Sequence, residues 1–418
     1  MPLTSIWAAT APAPADLPPL HDSLRADVLV IGAGFQGLST ALHLAEAGVD
    51  VVLLEARQPG HGASGRNGGQ VIPGLKDDPD ALDQLWGAQA TDFAGSTAAR
   101  LFALVDRLGI DCDAQQAGWI QAGMAQVHLP GLRARMTQWA ARGAPVDWLD
   151  AAAMERATGS RSFCGGWIDR RAGKIHPLKF ARGLAQAALA AGARLYGDTP
   201  VVSLVRDGGV WQARTGSGAT VSADQVVLAS NVYTPAGFDP DLRRATLPAH
   251  SFQVATAPLD PADLARILPQ GAVVSEARRV GTYFRIGPQN RLMLGGRGSF
   301  AEPQGPAAFH RIAAELTRIF GRSFAMDHHW FGRVGMTPDH RLRLLAPAPG
   351  LLAATGFNGR GVALATALGQ VMAAHLAHGT PLPLPVEDRL RPLPFHGLHP
   401  VYGSLAIEYY RLRDRMDR

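Results

Sequence analysis

Gly32-Ala33-Gly34-Phe35-Gln36-Gly37 and Glu55 are the residues whose types and spacing speak first of chemistry. Gly32 permits a tight turn, Gly34 lets the backbone approach a pyrophosphate, and Gly37 permits close helix–sheet contact. A helix opening at Phe35 offers free amides and a partial positive charge to phosphates. Glu55, with Ala56 beside it, lies roughly 20 residues on, where an acid can accept from ribose hydroxyls. Together these specify a dinucleotide site. A second glycine-rich stretch, "GHGASGRNGGQV" at 60–71, follows at once, and a third, "GFNGRGV" at 356–362, comes late in the chain. Glycine costs backbone entropy on folding, so such segments are either linkers or loops wrapped around something bound. Ser64, Arg66 and Asn67 are donors for which a linker has no use. Backbone lying against a ring system along its length points to a flavin rather than a nicotinamide.

Other residues leave two readings open each. In "GTYFRIG", Tyr283 and Arg285 are two apart on a strand and face the same side. Arg285 either forks onto a substrate carboxylate or sits on an exposed strand face. Arg360 is either an anion clamp or support for its own loop, and Asn358 is a candidate for contact with ring or substrate. His250 and Phe252 either line a pocket or pack. Trp330 and Phe331 read as interdomain packing, and His176-Pro177 as a structural turn into a helix. His328 and His329, adjacent on a strand, point opposite ways, and no metal site is expected.

The elements that must position these groups are legible. Val28–Ile31 and Val51–Leu54 are continuous apolar runs of the kind buried on both faces of a parallel sheet. Between them, helical spacing predicts a helix over 35–47, completing a βαβ unit. A helix is expected over 177–191, a strand at 225–229 turning at Ser230-Asn231, antiparallel strands across 245–330, and strand, glycine turn and helix at 351–378. Residues 80–110 read as helical, and 115–165 as mixed with short strands. The fold class expected is α/β, α+β overall. A Rossmann-like domain is discontinuous over 26–100, 166–240 and 332–390. A mainly antiparallel substrate domain takes 101–165 and 241–331. An extended arm, 1–25, broken by Pro12, Pro14, Pro18 and Pro19, and a tail, 391–418, flank them.

With 47% hydrophobic and 18% charged residues in 418, the chain can bury a large core. The net charge of +5 is spread along the sequence with no basic–aromatic clusters, so nucleic-acid binding is not expected. Two cysteines far apart, Cys112 and Cys164, no signal peptide and no apolar run long enough for a bilayer give a cytoplasmic expectation. The oligomeric state is not legible, and the basic end "YYRLRDRMDR" reads as an interface helix or a solvated end.

The stretches "DVLVIGAGFQGLSTALHLAEAGVDVVLLEA", "GASGRNGGQV", "IHP", "VVLASNVYTP", "RLMLGGRG" and "TGFNGRGVALA" resemble the flavin-dependent D-amino-acid, glycine and sarcosine oxidase superfamily. The likeness is greatest to its bacterial gamma-glutamylputrescine oxidase-like branch, and it extends to the Trp7 arm and the tail. This resemblance implies FAD, with Gly32, Gly34, Gly37 and Glu55 at the ADP half. Ser64, Arg66, Asn67, Gly68, Gly69 and Gln70 would line pyrophosphate and ring, and Val201 the adenine. Ala229 and Ser230 would flank the cofactor. Gly356, Asn358, Gly359, Arg360, Gly361 and Val362 would surround the isoalloxazine. Arg66 and Gly332 align where some relatives attach flavin through His or Cys, which implies noncovalent FAD, although His61 lies close by. The implied reaction is oxidation of a C–N bond in an amine carrying a carboxylate, with oxygen or another acceptor. Gamma-glutamylputrescine-like substrates, L-pipecolate-like amino acids, and dehydrogenation to a quinone or electron carrier all stay open.

Overall fold

The computed structural model describes residues 3–235, 237, 238 and 240–417. Two sheets carry the architecture. In the first, Leu351–Thr355, Thr220–Leu228, Leu24–Ile31, Val51–Leu54 and Arg194–Tyr196 run parallel in that order. Every residue of Val51–Leu54 and of Val28–Ile31 is buried, as helices on both sides demand. The helix Phe35–Glu46 lies against both Pro177–Ala190 and Gly361–His378. Its approach to the last is close: a Cβ on Gly369 would meet the Gln36 carbonyl and Ser39, whose Oγ donates to Thr366 O at 2.7 Å. This is the doubly wound domain expected at the start, middle and end of the chain.

The second sheet has eight strands, in the order 326–336, 247–258, 291–297, 282–286, 273–276, 119–123, 165–169 and 146–150. All pairs are antiparallel except 273–276 with 119–123. Its outer face packs Phe252, Val254, Phe284 and Leu294 under the helix His310–Phe320. Its inner face turns toward the glycine loops. A small ribbon, Gln70–Val71 with Gly173–Lys174, ties the two layers together.

Three expected boundaries fall inside elements. The helix Ala88–Leu108 runs through 100/101 and packs wholly into the core of the first domain. Strand Gly165–Asp169 crosses 165/166, and strand Met326–Met336 crosses 331/332, both within the second sheet. The arm is not extended throughout. Ile6–Thr10 form a short helix capped by Ser5, whose Oγ accepts from Ala8 N at 3.1 Å, and it stops just before Pro12. Each proline restricts its own position and its immediate neighbours, and no further. Burial of Ile6 and Trp7 supplies the docking energy for the helical turn ahead of them. The tail, too, is mostly one helix, His399–Met416.

Candidate active site

The first βαβ unit forms its turn as the glycine spacing requires. A Cβ on Gly37 would collide with the Gly32 carbonyl, so only glycine lets the helix start this close to the strand end. Ala229 and Ser230 close the turn from the neighbouring strand: Ala229 N donates to Ile31 O at 2.9 Å, and the Ala229 carbonyl lies against Gly32. Glu55 accepts from Ala33 N at 2.7 Å and from Arg57 N at 2.9 Å. Burial pushes its carboxyl up, against those two amides. Two donors leave lone pairs of a half-buried carboxylate free for further donors, which suits ribose hydroxyls. Val201, buried, opens the strand Val201–Asp207, and Ala56 is exposed beside Glu55.

The loop 60–71 is no linker. Ser64 Oγ accepts from Phe35 N at 3.0 Å, tying the loop to the helix start. Asn67 Nδ2 donates to Ser64 O at 2.8 Å, while its Oδ1 accepts from Gly69 N at 2.8 Å. Two indoles hold the loop from outside: Trp7 Nε1 donates to Asn67 O at 2.8 Å, and Trp330 Nε1 to Arg66 O at 3.1 Å. The two rings meet edge-on at 6.2 Å. Gly68 lies under the Tyr283 ring, where a Cβ would come within 2.6 Å of Cε2. Gln70 reaches inward: its Nε2 donates to Val274 O at 3.0 Å, and its Oε1 accepts from Ser275 Oγ at 3.0 Å.

Tyr283 and Arg285 do face the same side, but their surroundings differ. Arg285 donates to Gly69 O at 2.9 Å and Ile175 O at 2.7 Å, and lies 5.4 Å from the Trp7 ring. Both bonds come from Nη1, and Nε donates to Ile286 O at 3.2 Å, so the arginine is buried rather than on an exposed strand face, while Nη2 has no hydrogen-bond partner among the described residues. Gly69, at φ +68°, has no room for a Cβ because that guanidinium and the Ile175 carbonyl fill the space. Tyr283 OH instead bonds Ser251 Oγ at 2.6 Å and also Gln253.

In the loop 356–362, Asn358 is likewise turned inward. Its Oδ1 accepts from Thr337 N at 3.0 Å, and its Nδ2 donates to Thr337 Oγ1 at 3.1 Å and to Gly356 O. Gly359 then leads to Arg360, which caps the helix beginning Gly361-Val362. Arg360 is the exception. Its guanidinium stacks 4.8 Å from the Trp119 ring, and its buried Nη1 has no hydrogen-bond partner among the described residues. Desolvation pushes this cation down to about 9.

Lys76 and Arg297, which the motifs do not single out, join it. The Lys76 side chain is exposed in area, yet desolvation is the largest cause of its depression to about 7, followed by repulsion from Arg360, Arg135 and Arg297. Arg297 is held below its ordinary value by burial, and its side chain's one polar contact among the described residues is the Met336 sulfur, at 2.7 Å. No carboxylate pairs with Lys76, Arg297 or Arg360 among the described residues. One composition signal foreshadows this: the chain has only three lysines, Lys76, Lys174 and Lys179, among its 40 basic residues.

The other candidates fall away from these cations. Phe252 packs in the outer core, and His250 sits on that same outer face with Phe331, edge-on at 5.5 Å. His176 is a buried helix cap, accepting from Lys179 N at 3.2 Å. His328 and His329 pair with Ala255 and Val254 and so point to opposite faces.

Comparison with known proteins agrees with this architecture. The family model described as FAD dependent oxidoreductase matches residues 27–375. The gamma-glutamylputrescine oxidoreductase of Escherichia coli (strain K12) is 31% identical over 424 residues, covering 99% of this chain and 98% of that protein. A probable oxidoreductase, OrdL, of Rhizobium meliloti (strain 1021) is 31% identical over 422 residues, covering 98% and 97%. Among solved structures, glycine oxidase from Geobacillus kaustophilus superposes with a TM-score of 0.73 at 22% identity, covering 86% of this chain and 96% of that one.

Proposed function

The chain belongs to the FAD-dependent oxidoreductase family, and from that premise we propose that it oxidises a C–N bond in an amine bearing a carboxylate, with gamma-glutamylputrescine as the leading substrate. The observation that supports this reading is the group of cations Lys76, Arg297 and Arg360, none of them in an ion pair among the described residues, with Arg360 in the 356–362 loop and Lys76 shortly after the 60–71 loop.

FAD supplies the acceptor for a hydride from the amine-bearing carbon. The residues present fit it. The amides at the start of the helix Phe35–Glu46 and the Ser64–Asn67 loop would hold the pyrophosphate, and Glu55 the ribose. Gly68–Gln70 and Gly356–Val362 would hold the ring. A noncovalent FAD fits this reading: Arg66 and Gly332, which the resemblance aligns with the attachment positions of some relatives, lie against each other and carry no nucleophilic side chain.

Lys76 and Arg297 would take the substrate carboxylate, with Arg360 beneath them on Trp119. An arriving anion relieves the mutual repulsion of the cations, so Lys76 regains its proton as the substrate binds. Tyr283, its hydroxyl fixed by Ser251 and Gln253, lies within electrostatic reach of Arg297. The amine must be neutral to release hydride, and no dedicated base is required of the protein.

The test is anaerobic mixing of the yellow holoenzyme with gamma-glutamylputrescine, putrescine and L-pipecolate in parallel. Bleaching by the first, with a much higher KM for putrescine, is the expected result. Lys76→Gln and Arg297→Gln should erase that preference. Bleaching by L-pipecolate alone would move the substrate to cyclic amino acids. No bleaching by any amine would sink the reading.

A further inference from the structure

The helix His399–Met416 is anchored on one side and bare on the other. Asp414, buried, accepts from Val280 N at 2.9 Å and from Arg279 N at 3.1 Å, while Gly403 lies against the Phe300 ring. Gly403, Ile407, Arg411 and Asp414 recur at helical spacing as the less exposed face. Leu405, nine residues from Asp414, is half a turn out of phase with it. Around Leu405 runs a stripe of Leu398, Val401, Tyr409, Leu412 and Met416, and exposure reaches 61% at Val401, 68% at Leu405 and 71% at Met416. A continuous row of large apolar side chains in water marks an interaction surface.

Charge decides what covers it. Arg413 and Arg415 flank the stripe on opposite sides, and both are exposed. Arg413 bonds only Tyr409 OH, at 3.1 Å, and Arg415 has no polar partner among the described residues. Glu408, the one acid near the stripe, is already taken by Arg411 and by Arg311 at 3.1 Å. A second copy of the helix is a poor partner. Laid antiparallel, it brings Arg413 and Arg415 against residues 395–407, which contain no acid. Laid parallel, it sets arginine against arginine. The stripe also offers six side chains, where a specific protein interface engages about 20–30 residues a side.

We infer that this helix docks the enzyme on an anionic lipid surface, its apolar stripe entering the acyl boundary and its arginines meeting the headgroups. Apolar insertion flanked by basic residues is the pattern of helices that lie in a membrane interface. None of the described helices is long and apolar enough to cross a bilayer. The contact therefore lies on the membrane rather than across it.

Flotation of the holoenzyme with phosphatidylcholine vesicles, with and without about one-third phosphatidylglycerol, tests this. Binding to the anionic vesicles alone, weakened by high salt, is expected. Arg413→Gln with Arg415→Gln should weaken it on the order of tenfold or more. Leu405→Asp with Leu412→Asp should abolish it, while an unchanged flavin spectrum and melting temperature show the fold intact. Failure to bind anionic vesicles, or binding indifferent to the Leu405/Leu412 pair, would overturn the inference. So would a concentration-dependent dimer lost in that pair, which would make the stripe an interface between copies.

Discussion

Replacing Trp7 by phenylalanine removes one hydrogen bond and leaves most of the ring in place. The indole Nε1 donates to Asn67 O at 2.8 Å, and Asn67 is the residue that folds the 60–71 loop through its own side chain. Losing that donor strands a partly buried carbonyl, at about 1–2 kcal/mol. The flavin requires the loop in this shape, so the loss should appear in cofactor affinity, as a roughly 5–30-fold rise in the FAD Kd. Apoenzyme titrated with FAD, followed by quenching of flavin fluorescence, reads this directly. Ser5→Ala, which removes only the cap of the short helix, serves as the comparison for arm docking. Trp330→Phe acts on the adjoining carbonyl, Arg66 O, and with its ring 6.2 Å from Trp7 the double variant should lose less than the sum. The reasoning is refuted if Trp7→Phe lowers the melting temperature equally with and without FAD while the Kd stays put. The indole would then be general stability and nothing more.

Three further changes bear on the same site. Arg285→Met leaves the Gly69 and Ile175 carbonyls without their donor, so thermal melting should show about 3 kcal/mol of lost stability; a selective rise in the KM of carboxylate substrates would instead support the fork reading. Gly37→Ala forces a Cβ onto the Gly32 carbonyl, and the purified protein should be colourless or misfolded. His176, among Asp113, Lys179 and Arg285, is pushed by burial down to about 4. The unfolded chain takes that proton near the ordinary value of about 6.5. The stability is therefore fully present above about 6.5 and is lost as pH falls toward 4, by about 3 kcal/mol. His176→Asn, which keeps a cap acceptor for Lys179 N, should flatten that limb of the melting-temperature profile.

The dinucleotide half of the site was legible because its chemistry is local. The turn, the helix start and the acid sit within one βαβ unit, and each glycine answers a backbone approach that the next few residues enforce. The strand runs were legible for the same reason, since burial on both faces writes itself as an unbroken apolar stretch. Boundaries were harder. Ala88–Leu108 gives no sign at residue 100 of which sheet it will cover, because that is settled by its packing against Gly361–His378, more than 250 residues away. The arm misled in a related way: prolines speak for themselves and their neighbours, and Ile6 and Trp7 are held by distant contacts.

Arg285 and Lys76 show why substrate groups resist a sequence reading. A pattern of alternation correctly placed Arg285 on the same face as Tyr283, but a face is not an environment. Carbonyls of the 68–69 loop and of Ile175 already occupy its Nη1 before any ligand arrives. Lys76 has no pattern at all. It comes just after the flavin loop in an unremarked turn, and its meaning comes from Arg297 and Arg360, distant in sequence, whose charges converge on it without a carboxylate between them. In a chain that meets almost every need for a cation with arginine, a lysine set among arginines is the one whose charge is easiest to remove. A substrate anion that restores that charge takes up a proton as it binds, so its affinity should fall as pH rises above about 7, which makes the pH dependence of carboxylate binding the most direct measure of whether the substrate sits beside Lys76.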